Sequence, residues 1–274
     1  MGKCKYCGMD AGLLSSVHQA CEEKHAIGLA DVDSCIKRYF MGQTDIINVR
    51  SVMMNVRRNA FVVKDDAIML SANAIDAYTK TLPANVNNKH LQYVLDYLNG
   101  IKLTRQDLES TGCIERLEAR LIQSNIIENL KIGILPSGNV TATIMLGKGE
   151  AILWSYSDVT MYQEKVERIY KGKRDGWSMH VAKGLTYHTG GSTSKPIENR
   201  YMNNEGTGTL YVTNKHLIFQ CLTTSVRVPY KKIVGVTPYA DGIEVHRDGV
   251  NAKRLAFQGF DSWFVVNVMQ LCLT

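Results

Sequence analysis

Residues 206–220, GTGTLYVTNKHLIFQ, decide the C-terminal half of the chain. Gly206 and Gly208 open the stretch, and Leu210, Tyr211 and Val212 read as a strand. Thr213, Asn214 and Lys215 form a tight polar turn, and Leu217, Ile218 and Phe219 read as the returning strand. β-Branched and aromatic residues on both sides of an Asn-containing turn are a hairpin signal. Downstream, SVRV (225–228), IVGV (233–236), IEVH (243–246) and KRLAF (253–257) continue the theme, with an Asp241-Gly242 turn before the third. Asp261 or Ser262 then caps a helix carrying Phe264, Val265, Val268, Met269 and Leu271. Upstream, AILW (151–154), residues 158–170 and WSMHVAK (177–183) read as extended, as does VTATIML (140–146). Loops are expected at Gly172-Lys173 and from Gly190 through Pro196. Many short antiparallel strands and one closing helix predict a small, partly open barrel plugged by the helix.

The whole chain of 274 residues is 45% apolar and 21% charged, an ordinary globular balance. Thirty-two basic and 26 acidic residues leave a formal charge of +6, which permits contact with an anionic surface without requiring it. The N-terminus MGKCKYCGMD lacks the apolar core of a signal peptide, and 263–273 is too short and too polar to span a membrane. Seven cysteines, three of them beside a histidine within the first 21 residues, favour metal use in a reducing compartment, expected to be the cytoplasm. Cys35, Cys113, Cys221 and Cys272 read as small buried side chains.

The first 21 residues hold the sharpest chemical signal. Cys4-x2-Cys7 is followed after ten residues by His18-x2-Cys21. Two close pairs joined by a short loop can bring four soft ligands into a tetrahedron, leaving no open position, so the expected ion is a structural Zn2+. Gly8 follows the first pair, where a knuckle turns, and Leu13 and Leu14 are expected beside the site. A redox pair at Cys4 and Cys7 is the competing reading. His25, four residues past Cys21, is expected to be a surface histidine. The stretch resembles short zinc-ribbon or treble-clef-like fingers, a likeness that names a module rather than an activity.

Between 25 and 135 the apolar period is helical. Asp45 precedes one stripe, Lys64-Asp65-Asp66 opens another that Pro83 ends, and Asn88 starts a third that stops at Asn99-Gly100. Ahead of these, Ile27, Leu29, Val32, Cys35, Ile36, Tyr39 and Phe40 give a partial helical stripe, with Gly28 weakening its start. Thr104 and Asp107 resemble a capping box before a stripe from Ile114 to Leu130, which Gly112 can split. Arg116, Glu118, Arg120 and Glu128 are expected to solvate the outer side, and the long stripe suits a partner helix or a dimer.

The segments KGEAILW, GTLYVTNKHLIF, VPYKKIVGV, YADGIEVH and KRLAFQG, with the last helix, resemble a pleckstrin-homology-like domain of the GRAM or bacterial PH type over about 145–271. His216 stands where such domains often carry arginine. The resemblance implies a PH-like barrel; such barrels bind phosphoinositides, other lipids, peptides or partner domains, and many are scaffolds. The expected fold class is α+β: a zinc knuckle (1–24), a helical domain (25–135) and a PH-like, GRAM-like domain (136–274).

A modular chain without HExxH, a phosphate loop or a serine elbow is expected to be a non-enzymatic intracellular adaptor or regulatory protein, working through protein–protein contacts or self-association. The second reading is a peripheral binder of anionic lipid head groups. Its candidate contacts are Lys171, Lys173 and Arg174 in one loop and Arg227, Lys231 and Lys232 in another, provided the two groups meet. The third is nucleic-acid binding through the finger with Arg57 and Arg58. An enzyme built on residues such as Glu150, His180 or His188 is the fourth.

Overall fold

The structure is a computed structural model that describes the chain except residues 1, 13–14, 84, 137–143, 172–173, 183–184, 193–194, 250–251 and 274, and the side chains of 168–197 and 273. Two compact units result, Met1–Gly133 and Ile134–Thr274. The layout is α+β, with helices in the first unit and an antiparallel sheet closed by a helix in the second.

In the first unit the helices are α1 (Gln19–Phe40), α2 (Ile46–Asn59), α3 (Lys64–Thr81), α4 (Asn88–Gly100) and α5 (Cys113–Lys131). Their ends follow local chemistry. Asp45 accepts the Asn48 N–H at 2.8 Å at the start of α2, and Asn87 accepts the Lys89 N–H at 3.0 Å at the start of α4. Asp66 reaches back to the Val63 N–H at 2.9 Å, and Pro83 lies just past α3. The Thr104–Asp107 box forms in both directions, but it opens a 3₁₀ turn (Gln106–Thr111) rather than an α-helix. Gly112, at φ +65°, separates that turn from α5.

One apolar core runs from Val32 through Val49, Ile75, Val94 and Leu98 to Leu117 and Leu121. An aromatic cluster extends it. Tyr39 stacks on Tyr93 at 5.0 Å, Phe40 meets Tyr97 at 4.9 Å, and the buried Tyr97 hydroxyl is 2.9 Å from the Ser71 hydroxyl. The sequence suggests that the charged side of α5 is solvated throughout, and Arg120 departs from this. Arg120 is 7% exposed and donates to the Leu82 carbonyl at 2.9 Å, at the point where α3 has ended. Arg116 grips Asp76 with two bonds of 2.8 and 2.6 Å, and Arg105 grips Glu118 in the same way at 2.6 and 2.7 Å.

Gly28 has a packing role that its low helix propensity conceals. A Cβ on it would lie 2.5 Å from the Ala60 Cβ and 3.3 Å from Val62 Cγ2. Gly28→Ala is therefore expected to destabilise the first unit by about 1–3 kcal/mol, the usual cost of overpacking. The gain of about 1 kcal/mol in helix propensity would not offset it. Urea unfolding of the two proteins checks this, and a more stable Ala variant would refute the close crossing.

The second unit is a curled, seven-stranded antiparallel half-barrel, PH-like in general shape. Its strands are β1 (Ile152–Lys171), β4 (Lys195–Thr213), β5 (His216–Gln220), β6 (Ser225–Pro229), β7 (Ile233–Tyr239), β8 (Gly242–Arg247) and β9 (Leu255–Gln258), ordered β6-β5-β4-β1-β9-β8-β7. The opening hairpin forms as read, with Thr209 opposite Gln220 and Val212 opposite Leu217. Leu210, Val212, Leu217, Phe219, Val245 and Phe257 fill the interior, and α6 (Trp263–Leu273) covers it with Phe264, Val265, Val268 and Met269. Asp261 accepts the Trp263 N–H at 2.8 Å. The edge strand β7 is bulged between Ile233 and Gly235 and carries Pro238, two features that blunt an open edge.

The sequence underestimates the first hairpin. β1 runs as one strand of 20 residues, and β2 (Arg174–Ala182) pairs with β3 (Leu185–Ser192) in a separate two-stranded sheet. The register is shared: Tyr162 opposite Asn204, Lys171 opposite Lys195, Arg174 opposite Ser192 and His180 opposite Thr186 belong to one continuous alignment. The β1–β9 register ends at Gln163, the Glu164 N–H still donates to the Arg254 carbonyl at 2.9 Å, and from Lys165 onward β1 pairs only with β4 among the described residues. Gly190 and Gly191, expected in a loop, lie in β3 opposite Gly176 and Asp175, and Pro196 lies in β4 opposite Tyr170. A ladder needs only backbone groups, and each strand of a two-stranded ribbon has a free edge where proline is tolerated. Residues 140–143 of the expected strand 140–146 lie outside the described residues, and 144–146 form no strand.

Candidate metal centre

The N-terminal knuckle is a short turn set against the start of α1. Lys3 and Asp10 bridge as an antiparallel pair, Cys4 N–H donates to the Met9 carbonyl at 2.7 Å, and Gly8 N–H returns to the Cys4 carbonyl at 2.8 Å. Gly8 sits at φ +74°, a conformation that glycine adopts without strain. This turn brings Cys4 and Cys7 together. The second pair comes from the helix end: His18 is the N-cap of α1 and Cys21 lies in its first turn.

The ligand atoms of Cys4, Cys7, His18 and Cys21 all lie within 4.8 Å of one another. His18 Nδ1 is 3.3 Å from Cys7 Sγ and 3.9 Å from Cys21 Sγ. His18 Nε2 is 2.8 Å from the Asp10 carbonyl oxygen, which can only accept, so the imidazole proton belongs on Nε2 and Nδ1 keeps its lone pair toward the sulfurs. The His18 backbone N–H also donates to Cys4 Sγ at 3.4 Å.

The titration of these groups shows what the cluster needs. Burial alone would raise the Cys4 thiol, but backbone N–H bonds at Cys7, His18 and Tyr6 outweigh it and bring it down to about 6. Burial, then the neighbouring Cys7 and Cys4 sulfurs, push Cys21 up to about 11. Three thiols this close cannot all ionise against one another, whereas a divalent cation among them reverses the penalty. The donor set, three sulfurs and one imidazole nitrogen with an oriented second nitrogen, fits a metal ion with four protein ligands. The N-terminus of α1 beside it favours the negative charge of such a thiolate centre.

The remaining candidate residues are dispersed. Lys173 lies outside the described residues, as do Leu13 and Leu14. Lys171 ends β1 and Arg174 begins β2. Arg227 lies on β6 opposite Ile218, which lies opposite Tyr211, which lies opposite Ser155 of β1. Ser155 and Lys171 are sixteen positions apart on β1. At roughly 3.3 Å per residue that is on the order of 50 Å of strand, so the two basic groups do not share a row of the sheet. Arg227 donates to the Met145 carbonyl, and Lys231 and Lys232 lie exposed in a 3₁₀ turn between β6 and β7. No protein-family model matches the chain, and no curated protein matches it.

Two sets of residues acquire partners that the sequence does not announce. His25 is neither a surface residue nor one of the clustered ligands. It is half-buried, its ring 4.7 Å from that of Tyr6, with Nδ1 3.2 Å from the Ala60 carbonyl. Glu150 has a fully buried side chain that accepts from the Gly147 N–H at 2.8 Å and the Thr213 hydroxyl at 2.8 Å, with His216 Nδ1 at 2.7 Å. Asn214 completes the clasp, accepting the Ala151 N–H at 2.9 Å and donating to the Gly149 carbonyl at 3.0 Å. Glu150 is thus committed to holding the Thr213–His216 turn against the start of the sheet. His180 and His188 occupy register positions opposite Thr186 and Ser178.

Proposed function

We propose that Cys4, Cys7, His18 and Cys21 hold a structural Zn2+ in a treble-clef-like finger, and that the second unit is of the GRAM or bacterial PH type. The protein then acts as a non-enzymatic adaptor that docks through protein–protein contacts. The observation that carries this reading is the β1–β4 and β2–β3 ribbon. Its strands continue far past the last residues that pair with the rest of the sheet, and a ribbon of that length adds nothing to the half-barrel's own ladder.

A second reading has its own support. Between residues 165 and 203 the chain carries eight Lys and Arg against three Asp and Glu, so the ribbon accounts for most of the formal charge of +6. A basic element of this kind suits an anionic lipid surface. One variant tests both readings: Asn-Gly in place of residues 166–200, which closes Lys165 and Tyr201 as a two-residue hairpin in the native register. The intact chain is expected to form protein cross-links through the ribbon in its native cell, and the shortened chain to lose them. Salt-sensitive sedimentation with phosphatidylserine vesicles, again lost on shortening, would select the lipid reading. Neither cross-links nor vesicle binding would remove both.

A further inference from the structure

We infer that the cleft between the metal knuckle and the α2–α3 corner binds a nucleotide unit, with the base against the Tyr6–Phe61 wall and the phosphate between Lys5 and Arg57. The cleft has a volume of about 430 Å³ and is lined by these four residues together with His25 and Asp66. That falls in the range of small-ligand sites, roughly 300–1,000 Å³.

One wall is aromatic. The Tyr6 ring lies 6.0 Å from that of Phe61 at 30°, and 4.7 Å from that of His25 at 38°. All three rings are half-buried, and the parts of them that line the cleft give a base a surface to stack on without regard to its identity. The rim is cationic. Lys5 Nζ stands 4.7 Å from the centre of the Tyr6 ring, and Arg57 projects from the last turn of α2. Both residues are exposed, and neither makes an ion pair among the described residues. The acid of the cleft does not neutralise them. Asp66 accepts the Val63 N–H at 2.9 Å and faces His25 Nε2 at 3.7 Å.

The backbone supplies an independent observation. Phe61 follows the end of α2 at φ +58°, in the left-handed position where glycine normally closes a helix. A bulky residue is held there against its preference, which places the ring on the cleft; strain of this kind collects at binding sites. A planar π-face beside a polyvalent anion uses both the rings and the cations. A lipid head group would leave the rings idle, and a peptide carboxylate needs only one cation. The nucleotide can be free or part of a single strand.

The zinc-loaded full chain would be titrated calorimetrically with AMP and GMP, and by anisotropy with fluorescein-labelled oligo-dT and oligo-U at low salt. Arg57→Glu and Phe61→Gly would be measured beside it. The glycine suits the local φ, so loss of binding there cannot be ascribed to a backbone that no longer fits. Each variant is expected to weaken binding about five- to hundredfold, and Arg57→Glu should also flatten the salt dependence. Saturation by mononucleotides identifies a free ligand; binding of oligonucleotides alone identifies a single strand. The ribbon-shortened chain keeps the two readings apart, since it must retain the binding. Absence of binding with every probe, unchanged binding in both variants, or loss only on shortening the ribbon would overturn the site.

Discussion

Cys4→Ser, or exhaustive chelation, is expected to remove one equivalent of zinc and to release residues 2–17 from the first unit while its helical signal persists. Among the described residues of that segment only Cys4 is buried, so those residues bring no apolar core of their own. In small fingers the metal contributes roughly 10–16 kcal/mol of apparent binding free energy, and that energy is folding energy. The few hydrogen bonds at Met9, Gly8 and Asp10 would not replace it. The helical core runs from Val32 to Leu121 and shares no residue with the knuckle. Metal analysis and amide exchange on the two forms provide the check. If exchange at residues 2–17 stays slow after the metal is gone, the site is not structural. Cobalt substitution should give the spectrum of a tetrahedral thiolate site. Acid should release the ion, because protons compete for the same sulfurs.

Glu150→Ala is expected to cost the second unit about 1–3 kcal/mol for each buried donor left without its acceptor. It strips the Thr213 hydroxyl and the Gly147 N–H of their acceptor and leaves His216 without its carboxylate. The pH dependence follows from the direction of the shift. Burial would raise the Glu150 carboxyl, but the Gly147 N–H, His216 and Thr213 bonds outweigh it and hold it below the usual range. A group lowered on folding adds stability above its unfolded value, about 4.3, and that stability is lost as pH falls through the lower folded value. Melting of the wild-type second unit should therefore steepen below about pH 4, while Glu150→Gln should be flatter over the same range. Equal pH slopes in the two proteins would show that the carboxylate is not held as the hydrogen bonds indicate.

Much of the architecture is local in origin and was legible in the residues alone. Asp45, Asn87 and Pro83 set helix ends because the groups they satisfy or remove lie within a turn of them. The Thr213–Lys215 turn sets the β4–β5 hairpin, and the spacing of Cys4, Cys7, His18 and Cys21 sets a four-ligand cluster. What the residues alone misstate is long-range. Glycines at 190 and 191 and Pro196 are turn signals by local preference, yet the ladder opposite them carries the ribbon through. Arg120 reads as a solvated charge until the end of α3 supplies its carbonyl acceptor. Glu150 and His216 are 66 positions apart, and Tyr6 meets Phe61 only when the knuckle lies against the α2–α3 corner. Propensity and capping act over one turn of chain, so they determined the elements. Register, burial and the meeting of distant charges depend on which backbone groups and surfaces remain to be paired once those elements exist, and only the tertiary structure decided that.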